Sequence, residues 1–137
     1  MPNIIEPVNC NFTRGNGLAI YQNAVWSVPV SVWTRENLVD TPFDLTGYTG
    51  VMEVKEEADY DDVLFSPEVI LENNVITLYL SSKKSKNIII EGENAQDTKT
   101  WVYTVDLTDS QGNTYRALQG NVEVSPSVIK NPSDQGV

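Results

Sequence analysis

The sequence predicts an all-β protein, an antiparallel β-sandwich of about seven to eight strands, and three observations carry that prediction. Apolar residues alternate with polar ones almost wherever a period can be read. Turn residues (Gly, Pro, Asn, Asp) recur at short intervals between the alternating runs. No stretch sustains the 3.6-residue period of an amphipathic helix. With 137 residues, the chain has the length of one domain, which is usually about 100–200 residues.

The elements follow in order. In Val25 to Trp33, the set Trp26, Val28, Val30 and Val32 falls on one face. Pro29 lies on the other and cannot donate to a ladder, which predicts an edge strand or a bulge. Residues 37–47 read as a connection, with Pro42 and Gly47 at turn-like positions. The next strand, Tyr48 to Lys55, places Tyr48, Met52 and Val54 inward and Thr49, Glu53 and Lys55 outward, while Val51 breaks the alternation. Glu68 to Leu71 and Val75 to Leu80 form a hairpin, because Asn73-Asn74 tolerate the positive φ of a tight turn. Ser81 to Ile90 contains the one helical turn, kept short by its β-branched run. Thr100 to Thr108 is the clearest strand, with Trp101, Tyr103, Val105 and Leu107 on one face. Residues 109–113 make a loop, and Thr114 to Val124 returns as one or two segments interrupted by Gly120. The ends are rich in Pro, Asn and Ser and read as arms. The predicted organisation is an N-terminal arm at 1–15, a sandwich at 16–125 and a C-terminal tail at 126–137.

Composition removes several function classes. The chain has no histidine, hence no Ser-His or Cys-His nucleophile pair and little scope for zinc chemistry. Its net charge of −10, from 19 acids and 9 bases, repels phosphate backbones and anionic membranes. No run approaches the roughly 18 apolar residues of a membrane span. The N-terminus lacks the basic start and apolar core of a signal peptide, so synthesis in a reducing compartment is expected, and the single Cys10 agrees with that. What remains is an acidic binding or structural domain.

Candidate functional residues are few. The tightest charge cluster is Glu56, Glu57, Asp59, Tyr60, Asp61 and Asp62. Asp59, Asp61 and Asp62 are near enough in sequence to share a calcium ion, but the glycine and distal Glu of an EF-hand loop are missing. A solvated loop facing a basic partner is the expectation, with no metal. Carboxylate pairs such as Asp106 and Asp109 arise by chance among so many acids, and no catalytic residue or cofactor is assigned. Lys83, Lys84 and Lys86 form the only basic cluster, too small to argue for nucleic acid. Trp26 and Trp101 stand in phase with their strands' apolar faces and belong to the core. Trp33 is out of phase with Trp26 and is the expected exposed interface anchor. Asn11-Phe12-Thr13 matches a glycosylation sequon that would stay idle without secretion.

The order of motifs resembles a known group. Arg14-Gly15, the aliphatic strand 26–33, Asp44-Leu45-Thr46-Gly47-Tyr48 leading into Met52-Glu53-Val54-Lys55, the Tyr103 to Asn113 hairpin and the closing Gly120-Asn121-Val122-Glu123-Val124 follow one another. Together, over roughly residues 14–125, they resemble the small β-sandwich proteins of tailed bacteriophages, including the N-terminal domains of upper baseplate proteins. The resemblance implies an immunoglobulin-like sandwich that serves as a virion structural part in the tail, baseplate or neck. It implies docking to other virion proteins, a homo-oligomer within the particle, no contact with nucleic acid or membrane, and no catalytic residues. Because the sequence ends at Val137, soon after the sandwich, a downstream fibre or receptor-binding region is not expected. A capsid decoration or head-fibre protein is one alternative. The other is a carbohydrate-binding module for a host surface glycan, with Trp33 and Tyr60 as its stacking residues.

Overall fold

The structure is a computed structural model, described over residues 8–88 and 98–126. In chain order the strands are β1 (Val8–Asn9), β2 (Ile20–Tyr21), β3 (Trp26–Ser31), β4 (Trp33–Glu36), β5 (Val39–Pro42), β6 (Thr49–Lys55), β7 (Glu68–Glu72), β8 (Val75–Leu80), β9 (Lys99–Thr108) and β10 (Thr114–Ser125). One short helix, α1, spans Ser82–Lys86.

Two sheets face each other across the core. The first runs β1-β10-β9-β6, with β2 also on β10, and the second runs β3-β8-β7. The predicted alternation sets the inward rows. Trp101, Tyr103, Val105 and Leu107 of β9 and Met52 and Val54 of β6 are buried against Trp26 and Val28 of β3 and Ile76, Leu78 and Leu80 of β8. Each such side chain contributes roughly 1.5–3 kcal/mol of burial. Val51 points outward, and the inward position beside Met52 belongs to Gly50. A Cβ on Gly50 would stand 2.5 Å from Cγ1 of Val69 and 3.2 Å from Cδ2 of Leu107. Glycine is thus what lets β6 approach β7 where the two sheets close. Tyr48 is half-buried, edge-on to Phe43 at 5.6 Å.

Several turns follow the sequence chemistry. Asn73 takes φ 55° in the two-residue turn between β7 and β8. The side chain of Asp109 accepts from the backbone N–H of Gln111 and of Asn113, both at 2.9 Å, and closes the β9–β10 loop. Ser81 caps α1, its Oγ accepting from the Lys84 N–H at 3.2 Å, and the buried Ser85 hydroxyl donates to the Ala24 carbonyl at 2.8 Å. Strand β3 is an edge, as Pro29 predicts.

Four expectations need correction. Residues 8–15 are not an arm. β1 pairs parallel with β10 at Leu118 and Gln119, and Phe12 is fully buried between Trp26 (ring centroids 5.5 Å apart) and Tyr103 (4.9 Å). The flank of β10 receives this segment, and Phe12 fills the space between the aromatic rings of the two sheets. The strand predicted over 26–33 ends at Ser31: the Val32 N–H still donates in register to the Asn74 carbonyl at 2.8 Å, but the Val32 carbonyl accepts from the Phe43 N–H at 3.0 Å, where the chain leaves for the next pair of strands. β10 runs unbroken through Gly120, and its irregularity falls between Arg116 and Leu118. Finally, residues 37–47 are not a plain connection, since β4 and β5 pair as a separate two-stranded sheet. Residues 1–7 of the expected arm, residues 89–90 of the expected helical segment and 127–137 of the expected tail lie outside the described residues.

Candidate docking surface

The β4–β5 ribbon is built by local chemistry. Trp33 pairs with Pro42, Thr34 with Thr41, and Arg35 with Asp40. The guanidinium of Arg35 forks onto the Asp40 carboxylate at 2.8 and 3.1 Å, which holds the arginine above its ordinary pKa. The turn residues Asn37 and Leu38 both adopt left-handed conformations, φ 51° and 66°. A two-residue hairpin turn needs positive φ at both central positions, and Asn supplies it readily. Leu does not, because its Cβ crowds the following carbonyl at a cost of roughly 1–2 kcal/mol.

An isolated two-stranded hairpin is marginal in water, so the base of the ribbon matters. There the Phe43 N–H donates to the Val32 carbonyl at 3.0 Å and the Leu45 N–H to the Asn73 carbonyl at 2.8 Å, with both side chains buried. Beyond that base, its large apolar side chains lie open to solvent. Trp33, Arg35, Asp40 and Pro42 share one face, and Thr34, Val39 and Thr41 share the other. Trp33 is 54% exposed, Val39 61% and Leu38, at the tip, 87%.

The acidic segment forms a second surface. Glu56, Glu57, Asp59, Tyr60, Asp61 and Asp62 are all exposed. The Tyr60 hydroxyl is held above its ordinary pKa, first by the charge of Glu57. Val63 and Leu64 continue this surface as exposed apolar residues. Among the described residues, no three acids or cysteines come together as a metal-ligand set. Leu64 and Phe65 then return to the β6 edge, exchanging hydrogen bonds with Val54 at 2.7 and 3.1 Å.

Trp33 and this segment belong to stretches that join opposite ends of β6. The ribbon base leads through Phe43 and Tyr48 into the start of β6, and the acidic segment leaves from its end. A seven-residue strand separates them by ~20 Å. Trp33 and Tyr60, the pair expected to make a carbohydrate platform, thus belong to segments that join β6 at opposite ends. Of the other candidates, Asp106 is tied to Arg116 at 3.0 Å and Asp109 closes its loop. Lys83, Lys84 and Lys86 are exposed on α1, with Lys84 at 3.9 Å from Glu68.

Sequence reasoning missed Leu38 and Val39. A usable signal was present in the symmetry about the 37–38 junction, where Arg35 faces Asp40 and Thr34 faces Thr41. A leucine in the turn hid it. No helix among the described residues is long and apolar enough to cross a membrane. No protein-family model matches the chain, and no curated protein matches it.

Proposed function

We propose that the protein is a docking part of a tailed-bacteriophage virion, in the tail, baseplate or neck, made in the host cytoplasm. Its partners are other virion proteins and copies of itself. The observation that carries this reading is the ribbon. It displays Trp33 near its base and Leu38 and Val39 at its strained tip to solvent. Because apolar groups project from both faces and the tip, the ribbon suits insertion into a cleft better than contact with a flat surface. The acidic segment at the far end of β6 offers a second contact, for a basic surface. The partition of strands also supports an immunoglobulin-like reading. β3, β8 and β7 oppose β6, β9 and β10 in the manner of strands B, E, D against C, F, G. The reading assigns the protein no catalysis.

The test is the content of purified particles. Virions of the phage that encodes the chain are banded on a density gradient and analysed by mass spectrometry, with wild type and a Trp33→Ala/Leu38→Gly variant. The expected result is a fixed copy number in wild-type particles and a loss of at least tenfold in the variant, with the soluble variant still folded. Absence of the wild-type chain from particles overturns the virion reading. Full incorporation of the variant overturns the role of the ribbon.

A further inference from the structure

The outer face of the first sheet carries a second, unrelated feature. Strand register lines up Asn9, Gln119, Thr104 and Glu53 in one rung across β1, β10, β9 and β6. The next rung places Asn121, Val102 and Lys55 side by side. The two rungs floor a groove of about 350 Å³, and Ala58 of the acidic segment stands at its β6 side. That volume is at the lower end of small-molecule sites, which run ~300–1,000 Å³. Three strand spacings give the first rung a length of ~14 Å, so the groove is a trench suited to an extended ligand.

Its lining has a definite chemistry. Gln119 donates to the Asn9 side chain at 3.1 Å, which orients both amides and leaves one carbonyl and one amino group unused. The side chains of Glu53, Lys55, Thr104 and Asn121 have no hydrogen-bond or ion-pair partner among the described residues. Glu53, Lys55 and Thr104 are nevertheless half-buried. Donors and acceptors thus alternate along the trench, while Val102 and Ala58 supply small apolar patches. An apolar ligand would strip these polar groups of water without replacing it. Of the two lining cations Arg116 is already held by Asp106 at 3.0 Å, so an anion would meet Lys55 beside Glu53, on a chain of net charge −10. A chain of hydroxyls, each able to donate and accept, with C–H faces between them, satisfies every group.

We propose that this trench binds a neutral oligosaccharide, through Asn9, Glu53, Thr104, Gln119 and Asn121. It needs neither Trp33 nor the ribbon, so it stands or falls separately from the docking role. The test is native affinity electrophoresis of the full chain through gels containing dextran, soluble starch, galactomannan or, as the acidic control, polygalacturonate. Retardation by at least one neutral polymer is expected. Glu53→Gln and Asn121→Ala should each weaken it about tenfold, one hydrogen bond's worth, at unchanged circular dichroism and Tm, while Trp33→Ala leaves it intact. No retardation by any neutral polymer, retardation by polygalacturonate alone, or retardation that both groove variants retain would each overturn the proposal.

Discussion

Segments 8–20 and 33–42 are alike in sequence, each short of clear alternation and scattering a few large apolar side chains among polar ones. In the structure they part completely. Phe12 is fully buried and touches aromatic rings of both sheets, whereas Leu38 is almost wholly in solvent. The first segment is also stitched down at the backbone. The Cys10 N–H donates to Gln119 and the Phe12 N–H to Asn121, both at 2.9 Å, and the Trp26 indole donates to the Leu18 carbonyl at 2.8 Å. The Tyr103 hydroxyl adds a bond to the Cys10 carbonyl at 2.6 Å, and burial raises that phenol's pKa. The ribbon has only its base. What separates the two is therefore not their own composition. The open flank of β10 accepts residues 8–12, while among the described residues the ribbon is held only at its base.

The largest expected effect follows directly. Phe12→Ala should cost ~3–5 kcal/mol, the range for emptying a buried aromatic site, read as a drop in the urea midpoint at unchanged m. A cost below ~1 kcal/mol would mean the segment is an arm after all, and the contrast with the ribbon would vanish. Gly120→Ala should follow at ~1–3 kcal/mol. A Cβ there would run into the carbonyl of Cys10, which is backbone and cannot swing aside. The same measurement checks it. Faster hydrogen exchange at the Cys10 and Phe12 amides would show that β1 and its extension are what gives way.

The ribbon should respond in the opposite sense. Trp33→Ala is expected to move stability by no more than ~0.5 kcal/mol, as exposed substitutions usually do. For Leu38→Gly two terms compete. Relief of the left-handed turn returns ~1–2 kcal/mol, and the looser unfolded chain takes back ~0.5–1 kcal/mol. Stability should therefore hold or rise by up to ~1.5 kcal/mol, measured by urea unfolding. A clear loss would show that Leu38 packs on something within this chain.

These differences mark how far the sequence could be read. Where one face of a strand meets the core and the other faces outward, alternation names the inward residues, and Trp101 to Leu107 or Trp26 and Val28 lie as their phase requires. Phe12 escaped because one aromatic sets no period, and its burial depends on β10, over a hundred residues away in sequence. Leu38 escaped because a left-handed leucine goes against turn propensity, and propensity was the only local guide. The groove was illegible for a different reason. Asn9, Gln119, Thr104 and Glu53 become neighbours only through the register of four strands, which no single segment encodes.

The smallest effect concerns acid. In the sandwich, Asp109 is held below its ordinary value near 3.8, first by the backbone N–H of Asn113 and then by that of Gln111. Asp44, at the ribbon's exit, is likewise lowered, first by the Thr46 hydroxyl and then by the Thr46 N–H. A carboxylate whose folded pKa is depressed contributes stability above its unfolded pKa and loses it as pH falls through the folded value. Both groups therefore stabilise at neutral pH, and the contribution should fade below about pH 4. Asp44 is exposed and Asp109 only partly covered, so the change is small. Urea midpoints at pH 7 and pH 3 for wild type and Asp109→Ala measure it, and the variant should show the smaller difference between the two pH values. An equal difference would mean that the loop closes without the charge of Asp109, by the bond between the Asp109 N–H and the Asn113 carbonyl alone.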